Sequence, residues 1–309
     1  MISYVLRRLI QFVPTIFGVT LIVFFLLNVL PGNAAMMAGG KNRIPPAAQK
    51  LMIKKWGLDQ PVYARYFKYI KGLCTADLGT SFISGERVTD VLAPRLWPTF
   101  KLAVIALAIA CVTGIPLGFY SALRQGTAMD TVTMIGAVSG VSMPQFWLGL
   151  LLMYFFSVYL KILPTVGYGN GDPKFIILPA ITLGVGYMAL LARTTRAAVV
   201  ETLSQDYIRT ARSKGISDLL INRRHVLRNT LTIILTSAGL QFGSLLGGTV
   251  VVETLFSWPG LGTMMVNSIY YRDTPITQGC VMIIIVGFLV INLLVDLSYA
   301  LIDPRIKYQ

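Results

Sequence analysis

Six long apolar segments dominate this sequence and restrict what it can fold into. Each approaches or exceeds the roughly 20 residues that a helix needs to cross a bilayer. They predict an all-α, polytopic membrane protein in one transmembrane domain (1–309), with spans at residues 9–30 (TM1), 102–123 (TM2), 132–160 (TM3), 175–198 (TM4), 231–252 (TM5) and 279–302 (TM6). The mean hydropathy of +0.67 agrees with this class.

Two of these segments allow more than one interpretation. The first follows Arg7 and Arg8 and superficially resembles a signal peptide, but it is long enough to span and no small-residue cleavage site follows it. We therefore expect a retained first helix. TM3 is longer than one span requires, so we expect it to be tilted or to break at Pro144.

The distribution of basic residues predicts that both termini are cytoplasmic. In this orientation the inner segments hold thirteen Lys and Arg, whereas the short outer loops hold only Lys161, Lys174 and Arg272. The 31–98 loop does not enter the count, because loops beyond about 60 residues translocate largely regardless of charge. The basic residues flank apolar runs, so the net charge of +14 does not indicate nucleic-acid binding.

The long outer loop, 31–98, is expected to carry its own helices. Asp59 and Pro61 predict a helix start, and a second, weaker helix is predicted at 47–56. The apolar positions of the first helix are Val62, Tyr66, Phe67, Ile70 and Leu73. We expect this helix to pack on the bundle or lie in the lipid interface; a surface for a partner is the alternative.

The second outer loop, 253–278, contains the segment FSWPGLG. Its proline and glycines predict a turn, from which the chain re-enters the bundle, while Phe256 and Trp258 are typical of aromatic anchors at a membrane boundary. Glu253 ends an apolar run, so we expect its carboxylate to be paired or to face water.

The sequence contains no recognisable catalytic or metal-binding motif. It lacks the phosphate-binding pattern G-x-x-x-x-G-K-[ST], so we expect no nucleotide hydrolysis by this chain. His225 is the only histidine and has no ligand-spaced partner; Cys74, Cys111 and Cys280 show no paired spacing. We predict no catalytic residue, no metal site and no cofactor in this chain.

Two kinds of transport remain open at this point. A stand-alone secondary carrier or channel would be expected to bury ionisable residues near the middle of its spans. Here the charged residues of the spans lie near span ends, and glycines and Pro144 mark the interiors. This pattern favours transport powered from outside the chain.

One polar and basic segment, residues 204–229, interrupts the later spans. Ser204 is expected as the N-cap of a helix of about ten residues, Asp206 lies in its first turn, and Gly215 sits where a C-terminal stop belongs. Such a helix is about 15 Å long and too short to cross a bilayer. We expect it in the cytoplasm with something docked on it; a basic loop held by anionic lipid is the alternative.

The same segment carries a resemblance to a known family. DYIRTARSKG (206–215) and HVLRN (225–229) resemble the Glu-Ala-Ala loop of inner-membrane permease subunits of binding-protein-dependent ABC importers, in the dipeptide, oligopeptide, glutathione and nickel branch. Arg209, Thr210 and Ala211 replace the Glu-Ala-Ala of the general signature. Further similar segments are YVLRRL, LPG, GLDQPVYARYFKYIKGL, DLGTSF, SMPQFW, LPTVG, ILPA, GLQFGSLLGG, VVETLFSWPGLG and DPRIKY.

This resemblance implies an ATP-driven importer. Two related permeases would form the pathway, two ATPase subunits would bind ATP and Mg in the cytoplasm, and an external binding protein would deliver a short peptide, glutathione, nickel or a metal chelate. The short helix would be the coupling helix in a groove of the ATPase, with Tyr207, Ile208 and Ala211 as its buried face. The ATPase-coupling residues so implied are Asp206, Tyr207, Ile208, Arg209, Ala211, Arg212, Lys214 and Gly215.

Candidates for the translocation pathway follow from residue type and position within the spans. We predict polar wall residues and adaptable apolar ones, with ordinary helix packing as the alternative for each. The polar candidates are Ser142, Gln145, Gln241 and Ser244, and the apolar ones are Met143, Phe146 and Met188.

Overall fold

The computed structural model describes residues 2–29, 32, 34–37 and 45–302. The all-α prediction is confirmed, since the only strand-like feature in these residues is an isolated bridge between Thr80 and Arg87. Leu30, predicted to end TM1, and the DPRIKY segment lie outside the described residues. The α-helices in chain order are α1 (Ile2–Val29), α2 (Ala34–Met37), α3 (Pro46–Lys55), α4 (Val62–Cys74), α5 (Val88–Leu123), α6 (Ala128–Ser142), α7 (Gln145–Leu152), α8 (Lys174–Leu203), α9 (Asp206–Ser213), α10 (Asp218–Ile221), α11 (Leu227–Leu255), α12 (Leu261–Tyr270) and α13 (Thr274–Ile302).

Five helical stretches of the described chain are long and apolar enough to cross a membrane. A sixth results if α6 counts as one span with α7 and the π-helical segment Met153–Tyr159 that continues α7. These two helices meet at 105°. The break falls at Met143 and Pro144, because proline disfavours a helical conformation of the residue before it and cannot continue the helix. The expected break of TM3 at Pro144 is therefore present.

The helices extend well beyond the apolar runs that predicted them. α5 begins at Val88 rather than near residue 102, and the fifth span begins at Asp218 rather than near residue 231. In the latter, α10, a π-helical segment (Asn222–Val226) and α11 follow without interruption. An apolar run marks the part of a helix that lipid can cover, whereas hydrogen bonding continues the helix through charged residues.

The chain divides into two compact units. Unit 1 comprises Met1–Thr99 and Pro259–Gly287, and unit 2 comprises Phe100–Trp258 and Phe288–Gln309. In unit 1, α4 packs on α1, as its amphipathic pattern predicted. Tyr66 is buried, with its ring centroid 5.1 Å from that of Phe24.

The start of α4 differs from the prediction. Its N-cap is Pro61, and no side chain caps the helix, so Asp59 does not serve this purpose. Phe67 is 70% exposed and Val62 is 37% exposed, which leaves two apolar positions of the predicted face uncovered by the chain itself. The weaker helix of this loop is present as α3.

In unit 2, α8 is the most enclosed of the span candidates, since 56% of the residues in its most apolar stretch are buried. It packs against α6, α7 and α11. Gly114 and Gly118 bring α5 close to α8: a Cβ at Gly118 would lie 2.2 Å from the carbonyl oxygen of Ala192. Small residues four apart commonly allow such close approach of membrane helices.

Gly118→Ala is therefore expected to destabilise the chain by about 1–3 kcal/mol, because the backbones of two helices must separate. Gly136→Ala is the matched control, since nothing lies within 4 Å of a Cβ at that position. Thermal unfolding of the two purified variants in detergent measures the difference. Equal melting temperatures would contradict the close contact.

The segment FSWPGLG is buried, in contrast to the predicted interfacial belt. Phe256 and Trp258 are each 1% exposed, and the Trp258 ring packs edge-on against Tyr168 with 4.8 Å between centroids. Ser257 between them adopts a φ of +51° and is exposed, while the rings on either side stay buried. Glu253 was predicted to be paired or to face water; it is fully buried and has an interaction within the chain, which excludes the second alternative.

Candidate functional site

The predicted coupling helix is α9, an eight-residue helix whose C-terminus has a well-defined stop. Gly215 adopts a φ of +76°, and its N–H donates to the Arg212 carbonyl at 2.9 Å. The N–H of Ile216 donates to the Ala211 carbonyl at 3.3 Å. These are the two bonds of a Schellman motif, for which glycine is favoured because it lacks the Cβ that disfavours positive φ.

The N-terminus of α9 differs from the prediction. Its N-cap is Gln205, which makes no side-chain capping bond. Ser204 instead ends α8, where its hydroxyl donates to the Glu201 carbonyl at 2.7 Å. α8 and α9 follow one another so closely that the small polar residue between them belongs to the first helix.

Two of the three residues predicted to face the ATPase are buried within this chain. Ile208 is 0% exposed and Ala211 is 6% exposed. They belong to an apolar cluster, here called the α9 platform, whose members are Ala122, Val199, Ile208, Ala211, Ile221 and Val226. Ile208 and Ala211 therefore anchor α9 to the bundle, which corrects their assignment to a docking face.

Tyr207, in contrast, lies outside the α9 platform, with 43% of its surface exposed. Its hydroxyl accepts a hydrogen bond from Asn229 Nδ2 at 2.9 Å, which joins the two segments that carried the family resemblance. The other outward-facing residues of α9 and its C-terminal turn are Asp206, Arg209, Thr210, Arg212, Ser213 and Lys214. Arg212 pairs with Asp218 at 3.3 Å, a surface contact that contributes little to stability.

An ion pair with a buried carboxylate joins α6 to α8, three residues before Val199 of the α9 platform. Arg196 donates through Nε and Nη2 to the two carboxylate oxygens of Asp130, at 2.6 and 2.7 Å. The same carboxylate accepts from the Ser121 hydroxyl at 2.5 Å and from the Gly126 N–H at 3.0 Å. Asp130 is 5% exposed, so this network fixes the α5–α6 turn against α8.

Polar side chains of unit 2 meet where the α6–α7 pair bends. Gln145 and Tyr187 line a cavity of about 190 Å³, together with Gly140, Met143 and Thr182 among others. The Ser244 side chain lies near Tyr187, its hydroxyl donating to the Gln241 carbonyl at 3.0 Å, and a Cβ at Gly248 would lie 3.1 Å from the Tyr187 hydroxyl. We call Gln145, Tyr187, Ser244 and Gly248 the bend cluster.

The predicted pathway residues do not all gather at this bend. Ser142, Met143 and Phe146 share an open groove on one side of it. Gln241 is buried and its amide donates to Ser237 on the same helix, 2.9 Å away. Met188 packs against Ala110, Leu191 and Ala238. Gln241 and Met188 therefore lie within the packing of unit 2, while Gln145 and Ser244 are in the bend cluster, and the pathway role of all seven residues stays a prediction.

Several residues were missed by sequence reasoning. Asp130 lies in the first turn of α6, after the N-cap Thr127, where acidic residues are common. This position gave no sign that Asp130 also pairs with Arg196. Tyr187 lies in an apolar run without a local signal. Leu219, 80% exposed beside α9, stands out only once the helix is placed. Within the described residues, no group of three His, Cys, Asp or Glu is arranged to hold a metal.

Taken as a fold, this arrangement is that of an ABC transporter permease. The chain is similar to an inward-facing MetNI methionine ABC transporter structure, with a TM-score of 0.57 and 18% identity over 69% of this chain and 96% of the other. It is also similar to an amino acid ABC transporter with histidines, with a TM-score of 0.54 and 19% identity over 68% of this chain and 93% of the other. At these identities the likeness concerns the fold alone.

Family membership comes from sequence. Residues 114–308 match the family described as binding-protein-dependent transport system inner membrane component, and residues 1–103 match its N-terminal companion family. The chain belongs to this family and is a multi-pass inner-membrane permease subunit of an ABC importer, in the peptide branch.

Relatives extend over the full length. The chain is 41% identical to the glutathione transport system permease protein GsiC of Escherichia coli K12, with complete coverage of both chains. It is 42% identical to the protein of the same name from Pectobacterium atrosepticum, again with complete coverage of both.

Proposed function

We propose that this chain forms half of the translocation pathway of an ATP-driven importer of glutathione or a related short peptide. The observation that carries the proposal is α9, a helix anchored by Ile208 and Ala211 that presents a polar, basic surface outward. Full-length similarity to glutathione permeases supports the solute class. A dipeptide, an oligopeptide, or nickel or a metal chelate are the other candidates of this branch.

The ATPase would dock on the outward side of α9. Tyr207 and Arg209 offer an aromatic ring and a guanidinium, and exposed Leu219 and Leu220 add an apolar patch next to them. The platform ties α9 to α5 and α8, so a displacement of the docked ATPase would move those helices as well. ATP and Mg would be bound by two separate ATPase subunits, and an external binding protein would supply the solute to the chain and a second, related permease.

We place both termini and α9 in the cytoplasm. The support is the excess of Lys and Arg in the segments that share a side with α9. In this orientation the 31–98 loop and α12 face outward, toward the binding protein.

The bend cluster would line this chain's half of the pathway. Its amide, phenol and hydroxyl groups can hydrogen-bond the amides and carboxylates of a peptide, and Gly248 leaves space beside them. The experiment is ATP-dependent uptake into proteoliposomes holding the complete importer, with labelled glutathione, a dipeptide and nickel compared in parallel. Saturable uptake of glutathione alone supports the proposed solute, and uptake of nickel without glutathione would contradict it.

Gly248→Leu is expected to lower this uptake severalfold, because the new side chain meets the hydroxyl of Tyr187 and displaces that ring, which borders the cavity at the bend. Gly247→Leu is the matched control on the same helix, where a Cβ meets nothing within 4 Å. Initial uptake rates at equal amounts of reconstituted protein make the comparison. Equal rates in the two variants would exclude the bend cluster from the pathway.

A further inference from the structure

A second cavity, in unit 1 and separate from the bend cluster, has the chemistry of an anion site. It measures about 270 Å³ and opens between α3, α4 and the first turns of α13. Lys55, Arg65 and Lys68 border it, against one carboxylate, Asp77. That carboxylate already accepts the N–H of Gly79 at 2.9 Å. The border therefore has an excess of positive charge.

The cations of this cavity are available to a ligand. Across the described residues, none of the three lies within ion-pairing distance of a carboxylate. Arg65 is half-buried with its guanidinium 6.0 Å above the ring of Phe24, and burial lowers its pKa because the charged form loses hydration. A bound anion would compensate for that loss.

An unsatisfied donor reinforces this reading. Gln278 borders the cavity and is 7% exposed, and its Nε2 has no hydrogen-bond partner among the residues described. Buried amide donors are normally paired, so a single unpaired one beside a cavity points to a missing acceptor. Thr274, the first residue of α13, also borders the cavity. The N-terminal end of a helix favours negative charge, which Asp273 just before it already supplies through a carboxylate bonded to the Ser81 hydroxyl and the Phe82 N–H.

The walls indicate what kind of anion fits. Trp56 and Phe82 stack with 4.9 Å between ring centroids and 19° between planes, and both line the cavity. Flat aromatic surface next to three cations suits a small molecule with an organic body and a carboxylate better than it suits a bare inorganic ion.

We infer that this cavity binds a small organic carboxylate, held by Arg65, Lys68 and Gln278 against the Trp56–Phe82 pair. The inference adds a solute-binding site to the proposed function. It rests on that function for one point, that the cavity of unit 1 faces the outside, where the solute arrives. A solute with a carboxylate would then bind to the permease at this cavity before it reaches the bend cluster.

The test is calorimetric titration of reduced glutathione into the purified full-length chain in phosphatidylcholine nanodiscs. Arg65→Met is expected to weaken binding at least about tenfold, the effect of losing a charge-assisted hydrogen bond. Lys68→Met and Gln278→Leu should weaken it as well, and either one serves if Arg65→Met fails to fold. Lys71→Met is the matched control, because Lys71 lies on the same helix and does not border the cavity. It should bind as the unchanged chain does.

Three results would overturn the inference: equal binding by Arg65→Met and Lys71→Met, equal binding of the diethyl ester of glutathione, in which both carboxylates are blocked, and inorganic phosphate binding as tightly as glutathione. Nanodiscs containing phosphatidylglycerol test the lipid source: loss of glutathione binding only there would assign the cavity to a lipid phosphate. The titration contains neither ATPase nor ATP. Its failure therefore leaves the proposed function standing, whereas uptake without ATPase subunits overturns that function whatever the titration gives.

Discussion

Gly215→Pro is expected to abolish ATP-driven uptake while leaving the chain inserted in the membrane. Proline fixes φ near −65°, whereas this position requires +76°, and it removes the N–H that donates to the Arg212 carbonyl. The C-terminal stop of α9 cannot form, and the connection to α10 must take another course. Co-purification of the ATPase subunits and ATP-dependent uptake should fall together.

A second pair of substitutions separates docking from folding. Arg209 is exposed and makes no ion pair in the described part of the chain, so Arg209→Glu should leave the fold intact. Reversed charge at a docking surface is expected to weaken ATPase association about tenfold or more. Arg209→Lys, which retains the charge, is the control. If ATPase co-purification is unchanged in both Gly215→Pro and Arg209→Glu, α9 is not the docking site.

Arg196→Met is expected to destabilise the chain by about 1–3 kcal/mol, because the buried Asp130 carboxylate loses both of its guanidinium hydrogen bonds and keeps only those from Ser121 and Gly126. The α5–α6 turn and α8 then lose a connection made of two hydrogen bonds. Melting temperature and yield of folded protein in detergent measure the loss.

The double variant Asp130→Asn with Arg196→Met tests whether the loss in Arg196→Met comes from the unpaired Asp130 charge or from removing the arginine side chain itself. A neutral amide retains the hydrogen bonds of position 130 to Ser121 and Gly126 in part and carries no buried charge. Replacing both members of a buried pair is often close to neutral. The double variant should therefore be markedly more stable than Arg196→Met alone, and additive losses would contradict the proposed coupling of the two residues.

The sequence predicted those features that depend on local chemistry. The stop at Gly215 follows from the conformational preference of glycine, and the break at Pro144 follows from the restrictions proline places on its neighbours. The amphipathic spacing of α4 likewise predicted Tyr66 on its inner face. Each of these needs only a few adjacent residues.

Features that depend on distant partners could not be predicted in the same way. Ile208 and Ala211 form an apolar stripe on a short polar helix, and a stripe does not say whether it faces its own bundle or another protein. The residues that cover it come from α5, α8 and α10 and the π-helical segment Asn222–Val226, far apart in sequence. Phe256 and Trp258 were misassigned for the same reason, since an aromatic pair near a span end suits both a membrane boundary and a core.

Uptake into proteoliposomes, with and without the ATPase subunits, tests most directly the claim that this chain is a permease driven from outside. With the second permease, both ATPase subunits, the binding protein and ATP present, we predict glutathione uptake that stops when ATP is replaced by a non-hydrolysable analogue. Permease subunits alone, supplied with a proton or sodium gradient, should give no uptake. Gradient-driven uptake without ATPase subunits would contradict the account and identify a stand-alone carrier.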